Sequence, residues 1–531
     1  MTTAEKIYRN LPVWLHNAAC SIEGWRINRR RYGNQYERIY AECAERAKLT
    51  REQLIQYRDK RLHKFVRHAY ETTPYYRAKF REWNISPDDI QTLGDMELIP
   101  ILTKREVQKN QELFYSDRIK RSELIDAHTS GTTGSGLKFK ITRSAEREQW
   151  AVWWRYRDAH GLTRESLCGV FSGRTIVAPE KERAPFWILN YPGRQIIFSG
   201  YHLNDTHLPR YIEKIKESEI KWLHGYPSHL ALLASYMIAN SVELANQITH
   251  VTTGAENLLE GQREIIERAF NVRVREHYGL AEGVANLSEC ACGEMHVDED
   301  FSAVEFIESD TVDGFRIIGT NFSNLAFPLL RYDTGDIATG IKDEPACSCG
   351  WGGRIVRSLD GRIEDYVVLS DGTRVGRMDH IFKDLTNIRA ARIYQSIPGE
   401  IAIRIVKSDC YSKADEKKLL RELSDRLGDK ARAELIYVDF LPPGRGGKGR
   451  LIESSLASAG IAGPPGKPRI GLKRRLRLRR AKTDTIGDQD SRNPIRKLQQ
   501  TLLSTENTRG GTPYPVVGKS EFRQLERDSN R

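Results

Sequence analysis

Between residues 167 and 270, short apolar runs alternate with helical stretches, and this alternation restricts the possible folds more than any other feature of the chain. Residues 167–171, 195–198, 220–224 and 248–252 read as buried strands. Leu208–Glu217, residues 228–240 and Glu260–Phe270 read as the helices between them. A strand that returns parallel to its predecessor needs a long crossover, usually a helix. The pattern therefore predicts α/β layers around a mostly parallel sheet. Residues 1–115 are instead largely helical, with Leu54, Leu62, Phe65, Val66 and Ala69 at helical spacing and Thr103 placed as an N-cap. After about Asp360 the units become small. Ser370-Asp371-Gly372 marks a hairpin, Lys413–Leu427 reads as a helix, and residues 391–395, 400–406 and 434–440 read as strands, which together describe a separate α+β domain.

At 531 residues the chain should hold two or three domains. We divide it at 1–359, 360–458 and 459–531. The net charge of +12 belongs to the last segment: residues 465–531 carry 17 basic and 7 acidic side chains, so the body is nearly neutral. That segment has the composition of a disordered basic tail. Its run Lys473-Arg-Arg-Leu-Arg-Leu-Arg-Arg480 suits an anionic surface, but it lacks interleaved aromatic residues, so no specific nucleic-acid partner is expected. No run approaches the ~18 apolar residues of a membrane span. The N-terminus shows no basic segment followed by an apolar core, so no signal peptide is expected. Four of the eight cysteines cluster as Cys290-Ala-Cys292 and Cys347-Ser-Cys349, which reads as metal binding in a reducing compartment, the cytoplasm by default. Oligomeric state is open.

The strongest functional signal is Thr129-Ser-Gly-Thr-Thr-Gly-Ser-Gly136, followed by Lys138 and Lys140. Glycine brings backbone N–H groups close to an anion, hydroxyls bond phosphate oxygens, and lysine adds a mobile charge. The spacing is neither the P-loop nor the dinucleotide fingerprint. Five further motifs follow in order: Gly225-Tyr226-Pro227-Ser228, His277-Tyr278-Gly279-Leu280-Ala281-Glu282, Arg331-Tyr332-Asp333-Thr334-Gly335-Asp336, Asp360-Gly361-Arg362-Ile363-Glu364-Asp365 and Gly444-Arg-Gly-Gly-Lys448-Gly-Arg450. Leu11-Pro-Val-Trp14, Arg29-Arg-Arg-Tyr-Gly33 and Pro74-Tyr-Tyr-Arg77 precede them. Over residues 10–455 this ordered set resembles the adenylate-forming superfamily, specifically its phenylacetate–CoA ligase and CapK-like branch.

The resemblance implies a large N-terminal domain of mixed sheets and helices that binds ATP and the acyl group, with a small C-terminal lid. It implies that a carboxylate attacks the α-phosphate of ATP, and that a thiol, normally coenzyme A, then displaces AMP. A glycan hydroxyl, an amine or a carrier-protein thiol are the alternative acceptors. By the same resemblance Ser130, Gly131, Thr132, Thr133, Gly134 and Ser135 hold the outer phosphates. Glu256, Tyr278, Gly279 and Asp336 contact the nucleotide, with Tyr278 against adenine and Asp336 on the ribose hydroxyls. Glu282 binds Mg2+, Arg362 accompanies the hinge at Glu364, and Lys448 is the catalytic lysine of the lid. Tyr226, Gly254 and Ala255 form part of the substrate pocket. Three positions depart from the pattern: Ser135-Gly136-Leu137-Lys138 replaces a Pro-Lys ending, Ala281 lacks the usual hydroxyl, and Glu364 stands where Asp is usual. Which acid is activated is not legible.

The cysteine pairs and His296 offer five candidates for the four positions of a closed structural Zn2+ site. The resemblance implies Cys290, His296, Cys347 and Cys349, with Cys292 spare and the metal-binding loops lying within 290–349.

Overall fold

The computed structural model describes residues 13–129, 137–173, 176–177, 181–244, 246–310, 313–344, 347–362, 367–372, 374–375, 378–382, 388–407, 411–441, 451–454 and 456. Residues Met1–Ala462 form one compact unit. It begins with helices α1 (Val13–Arg31), α2 (Asn34–Arg46), α3 (Arg51–Thr72), α4 (Pro74–Trp83) and the short α5 (Lys104–Lys109). Their ends follow local chemistry. Thr50 and Gln53 form a reciprocal capping box on α3, and Pro74 starts α4 where its missing N–H costs nothing. Asn84 ends α4 in a left-handed turn, and Thr103 accepts from the Glu106 N–H to cap α5. The buried stripe of α3 packs with Phe322, Phe327 and Leu330 in one core.

Strands β1 (Ile125–His128) and β2 (Lys138–Ile141) form an antiparallel hairpin. Helix α6 (Arg143–Asp158) follows. Twelve strands then make one sheet: β3 (Cys168–Ser172), β4 (Trp187–Asn190), β5 (Gln195–Ser199), β6 (Trp222–Gly225), β7 (His250–Gly254), β8 (Val274–Gly279), β9 (Asn286–Glu289), β10 (Met295–Val297), β11 (Ser302–Glu308), β12 (Phe315–Asn321), β13 (Tyr332–Lys342) and β14 (Ile355–Arg362). Helices α7 (Leu208–Glu217), α8 (Pro227–Ala239) and α9 (Glu260–Phe270) provide the crossovers between β5, β6, β7 and β8.

The sheet is mixed, not mostly parallel. Only β5, β3, β6, β7 and β8 run parallel to one another, and every other pairing is antiparallel. The reason is connection length: β9 to β14 follow one another without intervening helices, and short turns join only antiparallel strands. Two of the motifs lie at least partly inside strands. His277-Tyr278-Gly279 is the end of β8, and Asp360 to Arg362 continue β14, with Arg362 in register opposite Asp336.

An acidic tripeptide ties the helical region to this sheet. Asp298, Glu299 and Asp300 are all buried. Asp300 meets Arg46 and Arg155, Asp298 meets Arg155, and Glu299 meets Arg51, Arg58 and Arg354. Nearby Glu148 takes Arg46 and Arg61.

Beyond β14 the strands belong to other sheets. β15 (Val367–Val368) pairs with β16 (Arg374–Val375) across the expected hairpin. β17 (Ile388–Ile397), β18 (Glu400–Lys407), β19 (Arg432–Tyr437) and β20 (Ile452–Ser454) form a four-stranded sheet in the order β19-β18-β17-β20. Helix α10 (Lys413–Leu427) packs on it through Leu419, Leu423 and Leu427, with its own apolar core. Residues 457–531, which include the basic tail of 459–531, lie outside the described residues. Among the described residues no helix is long and apolar enough to cross a membrane.

Candidate active site

Three parallel strands end side by side on glycines: Gly225 of β6, Gly254 of β7 and Gly279 of β8. The carboxyl ends of such strands are the usual ligand edge of an α/β sheet. Their register brings Tyr226, Gly254, Ala255 and Gly279 to one place. Packing demands glycine at two of the positions. A Cβ on Gly225 would lie 2.2 Å from the Phe171 carbonyl oxygen, and one on Gly279 would lie 2.8 Å from His277 Cε1. Ala255 carries the chain away from β7 with φ at 68°, a strained value for a residue with a side chain.

The hydroxyl-rich residues 130–135 lie outside the described residues, as do Glu364 and Lys448. Both ends of the first stretch are fixed. The Thr129 N–H donates to the Leu137 carbonyl at 2.9 Å, and the Leu137 N–H donates to Thr129 Oγ1 at 2.9 Å, extending the β1–β2 pairing by one residue on each side.

Two of the expected nucleotide contacts meet directly. The Tyr278 hydroxyl donates to Asp336 Oδ2 at 2.7 Å, joining the end of β8 to the start of β13. Asp336 is aimed by the turn before it, where Gly335 has φ at 76° and Thr334 Oγ1 accepts the Asp336 N–H at 3.1 Å. Arg331, in the same motif, serves the architecture instead, holding Glu305 and donating to the Ile99 carbonyl. Glu282 is buried, its backbone carbonyl accepting from Asn321 and its carboxylate from Tyr332 at 3.4 Å. A hard carboxylate oxygen there suits a divalent cation such as Mg2+.

Glu256 has a role its sequence position conceals. Its carboxylate accepts the Ser228 hydroxyl at 2.7 Å and lies at the N-terminus of α8, where negative charge is stabilising. The side chain of Arg362 is outside the described residues, although its backbone is placed.

Behind the strand ends lies a cavity of about 1360 Å3, reaching from Gly254, Ala255 and Gly279 to helices α1 and α6. His224 and His277 line it, and burial pushes both imidazoles down to about 3, with Arg157 adding to the effect. Both are therefore neutral donors or acceptors at physiological pH.

Glu276, on β8 and beside Arg263 of α9, is shifted the other way. Burial raises its carboxyl to about 7, against the pull of Arg263. Folded protein thus holds this proton up to about pH 7, while the unfolded chain releases it near 4.3. Stability from this group falls as pH rises through that window, and the penalty is complete above it. Glu276→Gln is expected to raise unfolding stability at pH 8 by about 3 kcal/mol and to leave it unaltered at pH 4. Urea unfolding at the two pH values checks this; an equal effect at both would remove the titration as its cause.

A second cluster lies below β9 and β10. Cys290, His296, Cys347 and Cys349 have ligand atoms all within 4.8 Å of one another. Cys290 Sγ is 3.7 Å from Cys347 Sγ, and Cys349 Sγ is 3.4 Å from His296 Nε2. Tetrahedral zinc with bonds of about 2.3 Å to sulfur has edges of roughly 3.7 Å, so the donors already stand at ligand spacing. His296 Nδ1 lies 3.0 Å from the Gly353 carbonyl, which assigns the proton to Nδ1 and leaves Nε2 to bind. Burial raises the Cys349 thiol to about 12, with Cys347 and Cys290 contributing, a state that a bound cation would reverse. Cys292 is exposed and faces Ser348, away from the four.

Known proteins resemble this chain in sequence and in fold. A family model, the CapK C-terminal domain, matches residues 367–455. Protein CapK of Staphylococcus aureus is 26% identical over 454 residues, covering 84% of this chain and 98% of its own. The phenylacetate-coenzyme A ligase of Thermus thermophilus is 23% identical, covering 76% of this chain and 97% of its own. Among solved structures, 2-hydroxyisobutyryl-CoA ligase in the postadenylation state superposes with a TM-score of 0.60 at 17% identity, covering 78% of this chain and 92% of that one. At that identity the likeness shows the fold.

Proposed function

The chain belongs to the adenylate-forming superfamily, in its phenylacetate–CoA ligase and CapK-like branch, and on that premise we propose that it activates a carboxylic acid with ATP and passes the acyl group to a thiol, coenzyme A in first place. The observation that carries the reading is the Tyr278–Asp336 contact at the strand ends, beside Gly279 and Ala255, which line a cavity large enough for an acyl group.

In the first step a carboxylate oxygen forms a bond to the α-phosphorus, and the bond to the bridging oxygen of pyrophosphate breaks. Both reactants are anions, so donors must gather where charge develops. Residues 130–135 supply them, next to Thr129 and Leu137, which bond each other at the end of the β1–β2 pair. The Asp336 carboxylate accepts from the ribose hydroxyls, Tyr278 lies against adenine, and Glu282 would hold Mg2+, whose charge would offset phosphate repulsion. In the second step the thiolate attacks the acyl carbon and AMP leaves with the electron pair. Residues 360–458 form the lid, turning about Glu364 and delivering Lys448 to the first step. We assign zinc to Cys290, His296, Cys347 and Cys349 as a structural ion, and the cytoplasm as the compartment that keeps such thiols reduced.

The resemblance to the CapK-like branch leaves a second class of acceptor open. A glycan hydroxyl, amine or carrier protein therefore stands as the alternative to coenzyme A. Acid-dependent ATP–pyrophosphate exchange tests activation, and consumption of the adenylate by free coenzyme A tests the acceptor. Exchange with no acid from an aromatic, fatty and hydroxy-acid panel would overturn the first. Exchange without thioester formation would transfer the second to the alternative.

Metal analysis is expected to find one zinc per chain, and Cys347→Ser to bring it below about half an equivalent with a lower unfolding midpoint. Full thermal stability in thoroughly chelated protein would refute a structural ion.

A further inference from the structure

Seven arginines are buried among the described residues. Six of them, Arg46, Arg58, Arg155, Arg331, Arg354 and Arg392, are ion-paired to carboxylates. The seventh is Arg157, on the last turn of α6 and only 9% exposed. Among the described residues it has no carboxylate partner and no side-chain hydrogen bond, and the groups acting on its charge are Tyr32, Cys168, Tyr156 and Tyr36. Leaving a guanidinium buried without an anion is costly, and all five of its N–H donors need acceptors.

Its surroundings fix it in place without satisfying those donors. The guanidinium carbon lies 4.9 Å from the Trp154 ring, 5.4 Å from Trp222 and 5.8 Å from Trp150. Cation–π contacts hold the cation but accept no hydrogen bond of ordinary strength. Arg157 also lines the large cavity. The one unpaired buried arginine of the described residues therefore faces the space we assign to the acyl group.

The strands give the distance. Arg157 stands beside Trp222, where β6 begins, whereas Gly225 ends β6 at the reactive edge. Three residues of strand separate them, or about 10 Å. Trp150, Trp153 and Trp154 of α6 and Val170 of β3 line the space between, with Val170 packed in one cluster with Trp154 and Trp222. His224, on β6 between Trp222 and Gly225, has Nδ1 2.8 Å from Thr252 Oγ1.

We propose that the acid this chain activates is an elongated aromatic dicarboxylic acid, its reacting carboxylate at the Gly225–Gly254–Gly279 edge and its second carboxylate bound bidentately by Arg157. The inference rests on the activation reading and names the substrate class of that site. A planar carboxylate matches the guanidinium fork, and a flat ring between indoles matches that lining. A monocarboxylate of similar shape leaves the cation unpaired. A charge-assisted bond of this kind discriminates between such partners by roughly 10- to 100-fold.

The test uses 4-carboxycinnamic acid against 4-methylcinnamic acid, which differ at the distal group. Quenching of intrinsic tryptophan fluorescence reads binding of each without ATP, and ATP–pyrophosphate exchange reads activation. In the full chain the diacid is expected to bind at least about tenfold more tightly than the methyl analogue. Arg157→Gln is expected to collapse that ratio to within about threefold. Should Arg157→Gln fail to fold, Arg157→Lys keeps the charge but loses the fork, and should narrow the ratio without abolishing it. Equal binding of the two acids, or a ratio unmoved by both substitutions, overturns the proposal. A clear binding preference without exchange would instead overturn activation and leave the Arg157 pocket standing. Exchange with monocarboxylic acids alone would do the reverse.

Discussion

Arg155→Leu is expected to destabilise the protein by at least about 3–5 kcal/mol, the usual consequence of removing one partner from a buried ion pair. Arg155 donates to Asp298 Oδ1 at 2.6 Å, to both carboxylate oxygens of Asp300 at 2.9 and 3.0 Å, and to the Cys43 carbonyl at 3.0 Å. Its loss leaves Asp298 without an arginine partner among the described residues and Asp300 with Arg46 alone, both of them buried. Burial alone would raise Asp300, yet Arg155 and Arg46 outweigh it and hold the group below the ordinary carboxylate range. Asp298 is the less fully compensated of the two: burial raises it even with Arg155 present. The measurement is chemical unfolding of the variant beside Arg155→Leu with Asp298→Asn and Asp300→Asn, which removes the two carboxylate charges. Partial recovery in the triple variant is the expected result. If the single substitution costs under about 1 kcal/mol, comparable to a surface pair, the network is not what ties the helices to the sheet. The same carboxylates predict acid sensitivity. Burial opposes ionisation of Glu299, but Arg354, Arg58 and Arg51 bring it down to about 2, so its contribution is complete above pH ~4.3 and is lost as pH falls through 2.

Asp336→Ala is expected to lower kcat/KM for ATP by about 10²- to 10⁴-fold, because two charge-assisted hydrogen bonds to the ribose hydroxyls are each worth about 1.5–3 kcal/mol. Tyr278→Phe should cost much less, near tenfold, since it removes one hydroxyl from Asp336 and keeps the ring that faces adenine. Acid-dependent pyrophosphate exchange at varied ATP separates the two. Should both variants lose the same amount, Asp336 acts by holding Tyr278 and not by contacting the sugar. Deoxy-ATP gives an independent reading: it should be a poor substrate of the native chain and scarcely worse for Asp336→Ala.

Much of the helical content is written locally. Leu208–Glu217, Glu260–Phe270 and Lys413–Leu427 are found where their periodicity places them, because an amphipathic stripe and its caps are properties of neighbouring residues. The strands are displaced by a residue or two, and β9 to β14 carry too little alternation to stand out. Their residues are buried on both faces, as in Asn286–Glu289, where all four are inside. The motif residues Tyr278, Asp336 and Glu282 could be named from their order, but the structural roles of Glu256 and Arg331 could not. Each of those depends on a partner far along the chain, Ser228 for one and Glu305 with Ile99 for the other.

Taken by itself, the order of residues determines which elements form, which motifs terminate them and which chemistry those motifs resemble, since caps, stripes and turn residues act over a few positions. The tertiary structure alone decides that the central sheet is mixed, that Asp298, Glu299 and Asp300 are inside, and that Arg157 faces a cavity. Charge pairing and burial operate through space. Arg155 and Asp300 are 145 positions apart yet share two hydrogen bonds, and no local pattern distinguishes a buried arginine that has found its carboxylate from one that has not.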